Sequence, residues 1–224
     1  MVATFTDLRD FLPELIRGGV ITLQVTAGGA VVAVAAALVA ALLRLYGPLP
    51  LRWLATAYVE LFRGTSALVQ LFWLFFVLPH FGITLEPMAV GIAALGLNVG
   101  AYGAEVVRGA IGSVARGQWE AARALNLTRA QTLRRIVLPQ AFVAMIPPWG
   151  NLFIELLKAT SLVSLITLSD LAFKAQQLNQ NTLRTAEVFG TVLMMYLGLS
   201  VLITIAMRAL EARASRGLRR GRVS

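Results

Sequence analysis

The chain has 224 residues, 58% of them hydrophobic and 14% charged, and its mean hydropathy is +0.74, a balance that no water-soluble core of this size requires. The formal charge of +9 comes without the interleaved aromatic and basic residues of a nucleic-acid surface, so it is read as arginine gathered on the inner side of a bilayer, with no nucleic-acid partner. Cysteine is absent and His80 is the only histidine, which excludes disulfides, thiol nucleophiles and Cys/His metal sites.

Residues 1–18 place Phe5, Leu8, Leu12 and Leu15 at helical spacing with acids between them, which predicts an external amphipathic segment lying on the membrane surface. Asp7, Asp10 and Glu14 ahead of the first apolar run are wrong for a cleaved signal peptide, so no presequence is expected. The first span is predicted over about 19–43. Within it Gly29, Ala33, Ala37 and Ala41 form a small-residue stripe, which is either a seam for another helix or the accident of an Ala-rich sequence.

A second span, about 53–78, carries Glu60 and Arg63 near its inner end and the aromatic run Phe72, Trp73, Phe75 and Phe76 near its outer end. The third, about 88–109, is glycine-rich and ends in Glu105 and Arg108. Each acid lies three residues before its arginine on one helix, so both pairs read as ion pairs or braces for the inner face in preference to solute contacts.

Residues 110–140 are the most polar long stretch and split into two short helical patterns. In the first, Ala115, Trp119, Ala122 and Leu125 share one face, while Arg116, Glu120 and Arg123 share the other, where the acid is placed to pair with both bases. Asn126 suits the left-handed residue that ends a helix, and Thr128 with Gln131 spells a capping box for the next helix, which Leu138 and Pro139 are expected to close. The predicted product is a compact helical hairpin with the small residues Ala121 and Ala122 on its surface.

The fourth span, about 141–168, is expected to kink or break at Pro147 and Pro148. Asn151, Glu155 and Lys158 lie on one stripe of it, either lining a path for a zwitterion or forming a self-satisfied bridge that helps helices pack. Residues 169–187 read as a loop with some helix, about 188–207 as the fifth span, and 211–224 as a basic tail held at an anionic leaflet. Fifteen of the 20 Lys and Arg residues then fall on one side, which places the N-terminus outside and the C-terminus in the cytoplasm. The fold class is all-α, an integral membrane bundle of about five transmembrane helices. No nucleophile, carboxylate pair or phosphate loop supports catalysis, and five spans do not divide into the related halves of a secondary transporter.

The run Glu120-Ala121-Ala122, then Asn126, then Ile136-Val137-Leu138-Pro139 resembles the cytoplasmic signature of ABC importer permeases, with Asn126 where that family usually has glycine. Segments 58–65, 101–109 and 157–162 resemble the polar amino acid branch. The wording of 68–79 and 124–128 is most similar to permeases of the compatible solutes ectoine and hydroxyectoine. The resemblance implies that Glu120, Ala121, Ala122, Leu125, Asn126 and Leu127 dock on a partner ATPase between spans three and four, with Glu60, Arg63, Glu105, Arg108, Leu138 and Pro139 supporting that loop. It also implies a prokaryotic inner membrane, a second permease identical or related, two ATP-binding subunits that hold the ATP and Mg, and an extracytoplasmic solute-binding protein. No cofactor is expected on this chain itself.

Overall fold

The computed structural model of the chain describes residues 8–219, all of whose regular elements are helical. Helix α1 spans Leu8–Tyr46, α2 Leu49–Gly64, α3 Ala67–Phe72, α4 Pro87–Gly112, α5 Arg116–Ala124, α6 Arg129–Thr132, α7 Leu138–Ala159, α8 Leu171–Thr182 and α9 Thr185–Arg219. Four helices among the described residues are long and apolar enough to cross a membrane, and a bent pair that passes the same test together brings the number to five where it counts as one span.

The N-terminal segment is not a separate surface helix. From Leu8 onward α1 is one rod of 39 residues, roughly 58 Å long at 1.5 Å per residue and about twice the thickness of a hydrocarbon core. Residues 1–7 lie outside the described residues. Pro13 sits within the first two turns, where it forgoes one hydrogen bond, and the backbone at Gly18 lies directly against α8: a Cβ there would stand 2.7 Å from the Asp170 carbonyl oxygen. Phe11 and Leu15 bury beside Leu171, Ala175, Val188 and Val192, tying the start of α1 to α8 and the start of α9.

The small-residue stripe is a seam. Gly29, Ala33 and Ala37 of α1 face Gly96, Gly100 and Gly103 of α4, the two helices running parallel. A Cβ on Gly100 would lie 2.9 Å from that of Ala36 and 3.0 Å from the Ala33 carbonyl, so the close approach requires glycine.

The second span is broken where the sequence reading had one run. Thr65-Ser66 interrupts it, and the arm Ala67–Phe81 is bent by 109° from Leu49–Gly64. The Phe62 carbonyl at the elbow finds two donors, Gln70 Nε2 at 2.9 Å and Asn98 Nδ2 at 3.1 Å, and the same side chains are tied together, Gln70 Nε2 to Thr65 Oγ1 at 2.7 Å and Asn98 Nδ2 to Gln70 Oε1 at 3.0 Å.

Pro139, expected to close a helix, does not, and no break falls at Pro147 and Pro148. Leu138 and Pro139 open α7: a π-turn over Leu133–Val137, in which the Leu138 N–H reaches back to Leu133 O, joins α6 to α7 so that Pro139 costs no break. α7 also runs through Pro147 and Pro148, whose neighbours Met145, Ile146, Trp149 and Gly150 are buried and hold both flanks in place. α9 carries helix to Arg219, into the expected basic tail, and residues 220–224 lie outside the described residues.

Candidate functional site: a capped hairpin and an exposed polar stripe

At the end of the bundle where α1, α4 and α9 finish, the chain leaves α4 and forms the hairpin of α5 and α6. The turn between them is closed by two reverse hydrogen bonds, Leu127 N–H to Ala122 O at 3.0 Å and Asn126 N–H to Arg123 O at 2.9 Å, with Asn126 at φ 54. Asparagine is among the few side chains that adopt this conformation readily, which is how the turn forms without glycine. Thr128 Oγ1 accepts from Gln131 N and Gln131 Oε1 accepts from Thr128 N, a complete capping box that starts α6.

Burial divides the hairpin differently from the sequence periodicity. Ala122 is fully buried instead of lying on the surface, and Trp119 and Leu133 pack on the main core. Leu125, which helical spacing puts on one face with Trp119 and Ala122, is 71% exposed because it lies at the C-cap beyond the last turn. Glu120 and Ala121 are exposed, Leu127 is half-buried, and Glu120 pairs with neither Arg116 nor Arg123. α5 therefore presents an acid, a small residue and a leucine outward while Gln140 Nε2 ties it to α7 through Gln118 Oε1 at 3.3 Å.

Behind the hairpin Glu105 clamps two arginines. It accepts from Arg108 Nη2 at 2.6 Å and Nε at 2.9 Å and from Arg44 Nη1, a residue of α1 that the sequence reading had counted only as a loop charge. Glu60 and Arg63 form no such pair: Glu60 is exposed without an ion pair, and the Arg63 guanidinium lies 5.5 Å from the centre of the Tyr102 ring. Of the missed side chains, Arg44 and Asn98 act across 28 or more residues of sequence, a separation that leaves no local signal, and Gln70 joins that network through Asn98.

Asn151, Glu155 and Lys158 all lie exposed on α7, and the Glu155 to Lys158 bridge is not formed. Lys158 borders a 480 Å³ cavity toward α9 that Tyr196 and Ser200 also line, and Asn151 borders a second of 210 Å³ beside Arg208 and Glu211. At the other end of the bundle, outside the spans, Asp170 caps α8 by accepting from Phe173 N–H at 2.9 Å. Its Oδ2 is buried with no hydrogen-bond partner, and burial pushes the carboxyl up to about 6 against the opposing backbone N–H groups. Among the described residues no three His, Cys, Asp or Glu side chains cluster to hold a metal.

Residues 29–216 match the family described as binding-protein-dependent transport system inner membrane component. The chain is 44% identical to the Probable amino-acid ABC transporter permease protein y4tF of Sinorhizobium fredii, over 94% of its own length and 91% of that protein's. It is 38% identical to the L-cystine transport system permease protein TcyB of Bacillus subtilis, over 93% and 89% of the two lengths. With the glutamine transport system permease protein GlnP of Escherichia coli it shares 32%, over 90% and 93%. Among solved structures, an amino acid ABC transporter crystallised with histidines superposes with a TM-score of 0.87 at 32% identity, covering 95% of this chain and 100% of that one.

Proposed function

Because the chain belongs to the family of binding-protein-dependent transport system inner membrane components, we propose that it is the permease of an ATP-driven importer in which α5 receives the push of a separate ATP-hydrolysing subunit. The observation that carries this reading is the hairpin itself: two capped helices, anchored through Ala122 and Trp119, hold Glu120, Ala121 and Leu125 outward as a rigid knob. Asn126 and Leu127 set its angle, and the clamp of Arg44 and Arg108 on Glu105 passes a displacement of the knob to α1 and α4.

In this reading the knob faces the cytoplasm, which agrees with the arginine count, and the N-terminus lies outside a prokaryotic inner membrane. Two ATP-binding subunits hold ATP and Mg; a solute-binding protein delivers cargo on the opposite side. The exposed stripe of Asn151, Glu155 and Lys158 is too costly to leave in hydrocarbon, which supports a second permease, identical or related, covering that face and enclosing the path. An acid and a base on one wall fit a zwitterion, each offering the counter-charge to one end. The cargo is accordingly a polar amino acid, as the relatives' names suggest, or one of the cyclic zwitterions ectoine and hydroxyectoine, to whose permeases the wording around 68–79 is similar.

The test is reconstitution in liposomes with the ATPase and binding protein, measuring ATP-dependent uptake of glutamine, cystine and ectoine in parallel. Glu120→Arg is expected to keep insertion and ATP hydrolysis while uptake per ATP collapses. Glu155→Gln and Lys158→Ala are expected to lower uptake with assembly intact. Wild-type uptake by Glu120→Arg would overturn the docking role, and wild-type uptake by the other two would overturn the path.

A further inference from the structure

Between the last turn of α1, the first turns of α2, the end of α4 and the start of α5 lies a cavity of about 620 Å³. That volume is within the range of about 300–1,000 Å³ usual for small-molecule sites. Its lining includes Arg44, Arg52, Arg108 and Arg116, one from each of the four elements, together with Tyr46 and Trp119. Glu105 answers Arg44 and Arg108, whereas Arg52 and Arg116 have no carboxylate partner among the described residues. Four guanidinium groups around one hollow repel one another, and a single carboxylate leaves an excess of positive charge that calls for an anion.

The surface next to the cavity states which kind of anion. In helical projection on α2, Leu49 lies about 20° from Thr56 and Trp53 about 100° from Arg52, with Leu54 farther round, and these three with Tyr46 are among the most exposed large apolar side chains of the molecule. A hollow that is cationic inside and flanked by exposed leucine, tryptophan and tyrosine matches a molecule with a phosphate at one end and hydrocarbon at the other. A carboxylate of a soluble partner would answer the arginines alone, whereas a lipid answers them from beside the apolar flank of the same helix.

We infer that this cavity holds the phosphate headgroup of an anionic phospholipid, its acyl chains lying along the apolar face of α2. Seated there, the lipid contacts both the spans and α5, so the hairpin is braced from the bilayer side as well as by Glu105. The inference rests on the reading that this end of the bundle faces the cytoplasm, where anionic lipids face the protein.

The experiment uses the full chain in nanodiscs of phosphatidylcholine with a minor fraction of phosphatidylglycerol, then native mass spectrometry of the lipids retained in mild detergent. Wild-type protein should retain phosphatidylglycerol in preference to phosphatidylcholine. Arg52→Gln with Arg116→Gln should lower that preference by about five-fold or more, taking each arginine at the usual strength of a basic residue near an anionic surface. Arg52→Lys with Arg116→Lys should largely keep it, which separates lost charge from lost fold. Arg134→Gln with Arg135→Gln removes the same charge from exposed positions outside the cavity and should leave the preference unchanged. Equal retention by wild type and the Gln pair would overturn the inference, as would displacement of the lipid by inorganic phosphate alone, which would make the site one for free phosphate. Loss of ATPase binding by the Gln pair in discs of phosphatidylcholine only would assign the arginines to a partner's acids and overturn it too. None of these readouts depends on uptake, so a failure of the transport reading shows separately, in the Glu120→Arg assay.

Discussion

Glu105→Leu is the sharpest test of the clamp behind the hairpin. The Glu105 side chain is 21% exposed and that of Arg44 18%, so this half of the clamp is largely out of water, whereas Arg108 is 51% exposed and its pairing is worth at most about 1 kcal/mol. Removing one member of a buried pair costs about 3–5 kcal/mol, most of it the penalty of the stranded charge. The residual exposure of both groups brings the expectation for Glu105→Leu to about 2–4 kcal/mol. Glu105→Gln keeps one acceptor for Arg44 and should lose about 1–2 kcal/mol. The assay is unfolding of the purified permease by SDS titration in mixed micelles, run as a double-mutant cycle with Arg44→Met. If the stranded-charge argument is right, the Arg44→Met, Glu105→Leu double variant is more stable than Glu105→Leu alone, with a coupling of at least about 1 kcal/mol. Additive losses, or a Glu105→Leu protein within about 0.5 kcal/mol of wild type, would refute it.

Gly100→Val should abolish the α1 and α4 seam, since its first atom already meets Ala36 at 2.9 Å, and cost at least about 3 kcal/mol in the same titration; Gly198→Ala, with nothing within 4 Å, should be neutral or gain up to about 1 kcal/mol. Asp170 titrates at about 6 in the folded chain against 3.8 for a free carboxyl, so the fold binds the proton more tightly than the unfolded chain does. Its contribution is fully present below about pH 3.8 and is lost as pH rises through about 6, for a total of about 3 kcal/mol. Asp170→Asn retains the cap on Phe173, and unfolding followed from pH 4 to 8 should show a flatter profile and a more stable protein at neutral pH. Asn126→Gly should preserve the hairpin, whereas Asn126→Val at φ 54 should cost about 1–2 kcal/mol and slow ATP-driven uptake in liposomes.

What the sequence disclosed was whatever depends on neighbours in the chain. The cap of Thr128 and Gln131, the left-handed Asn126 and the Glu105 to Arg108 pair are all relations over three or four residues, and each is found in the structure. The seam of Gly29, Ala33 and Ala37 was visible as a stripe and the glycines of α4 as a packing surface, though not that the two face each other. The elbow at Gly64 was missed because its stability comes from Asn98, on another helix, reaching Phe62 O. The opposite error occurred at Pro139, and in part at Pro147 and Pro148, where the alternative of a break is not met. There a local rule favoured a stop, and a π-turn in one case and buried flanks in the other carried the helix through. Among the proposed site residues, Glu60 and Arg63 show how spacing alone misleads: three residues apart, they turn to solvent and to Tyr102 instead of to each other.

The unbroken length of α1 has a mechanical consequence. It is attached near its beginning through Glu14 to Lys174 of α8, in its middle along the glycines of α4, and near its end through Arg44. A stiff beam of roughly 58 Å that rolls on a narrow glycine fulcrum has opposite ends that swing in opposite senses, and a rotation of about 10° carries each end about 5 Å. Were α1 to pivot on that seam, a displacement at one end would reach the other, without any bending of the beam, as an equal and contrary displacement.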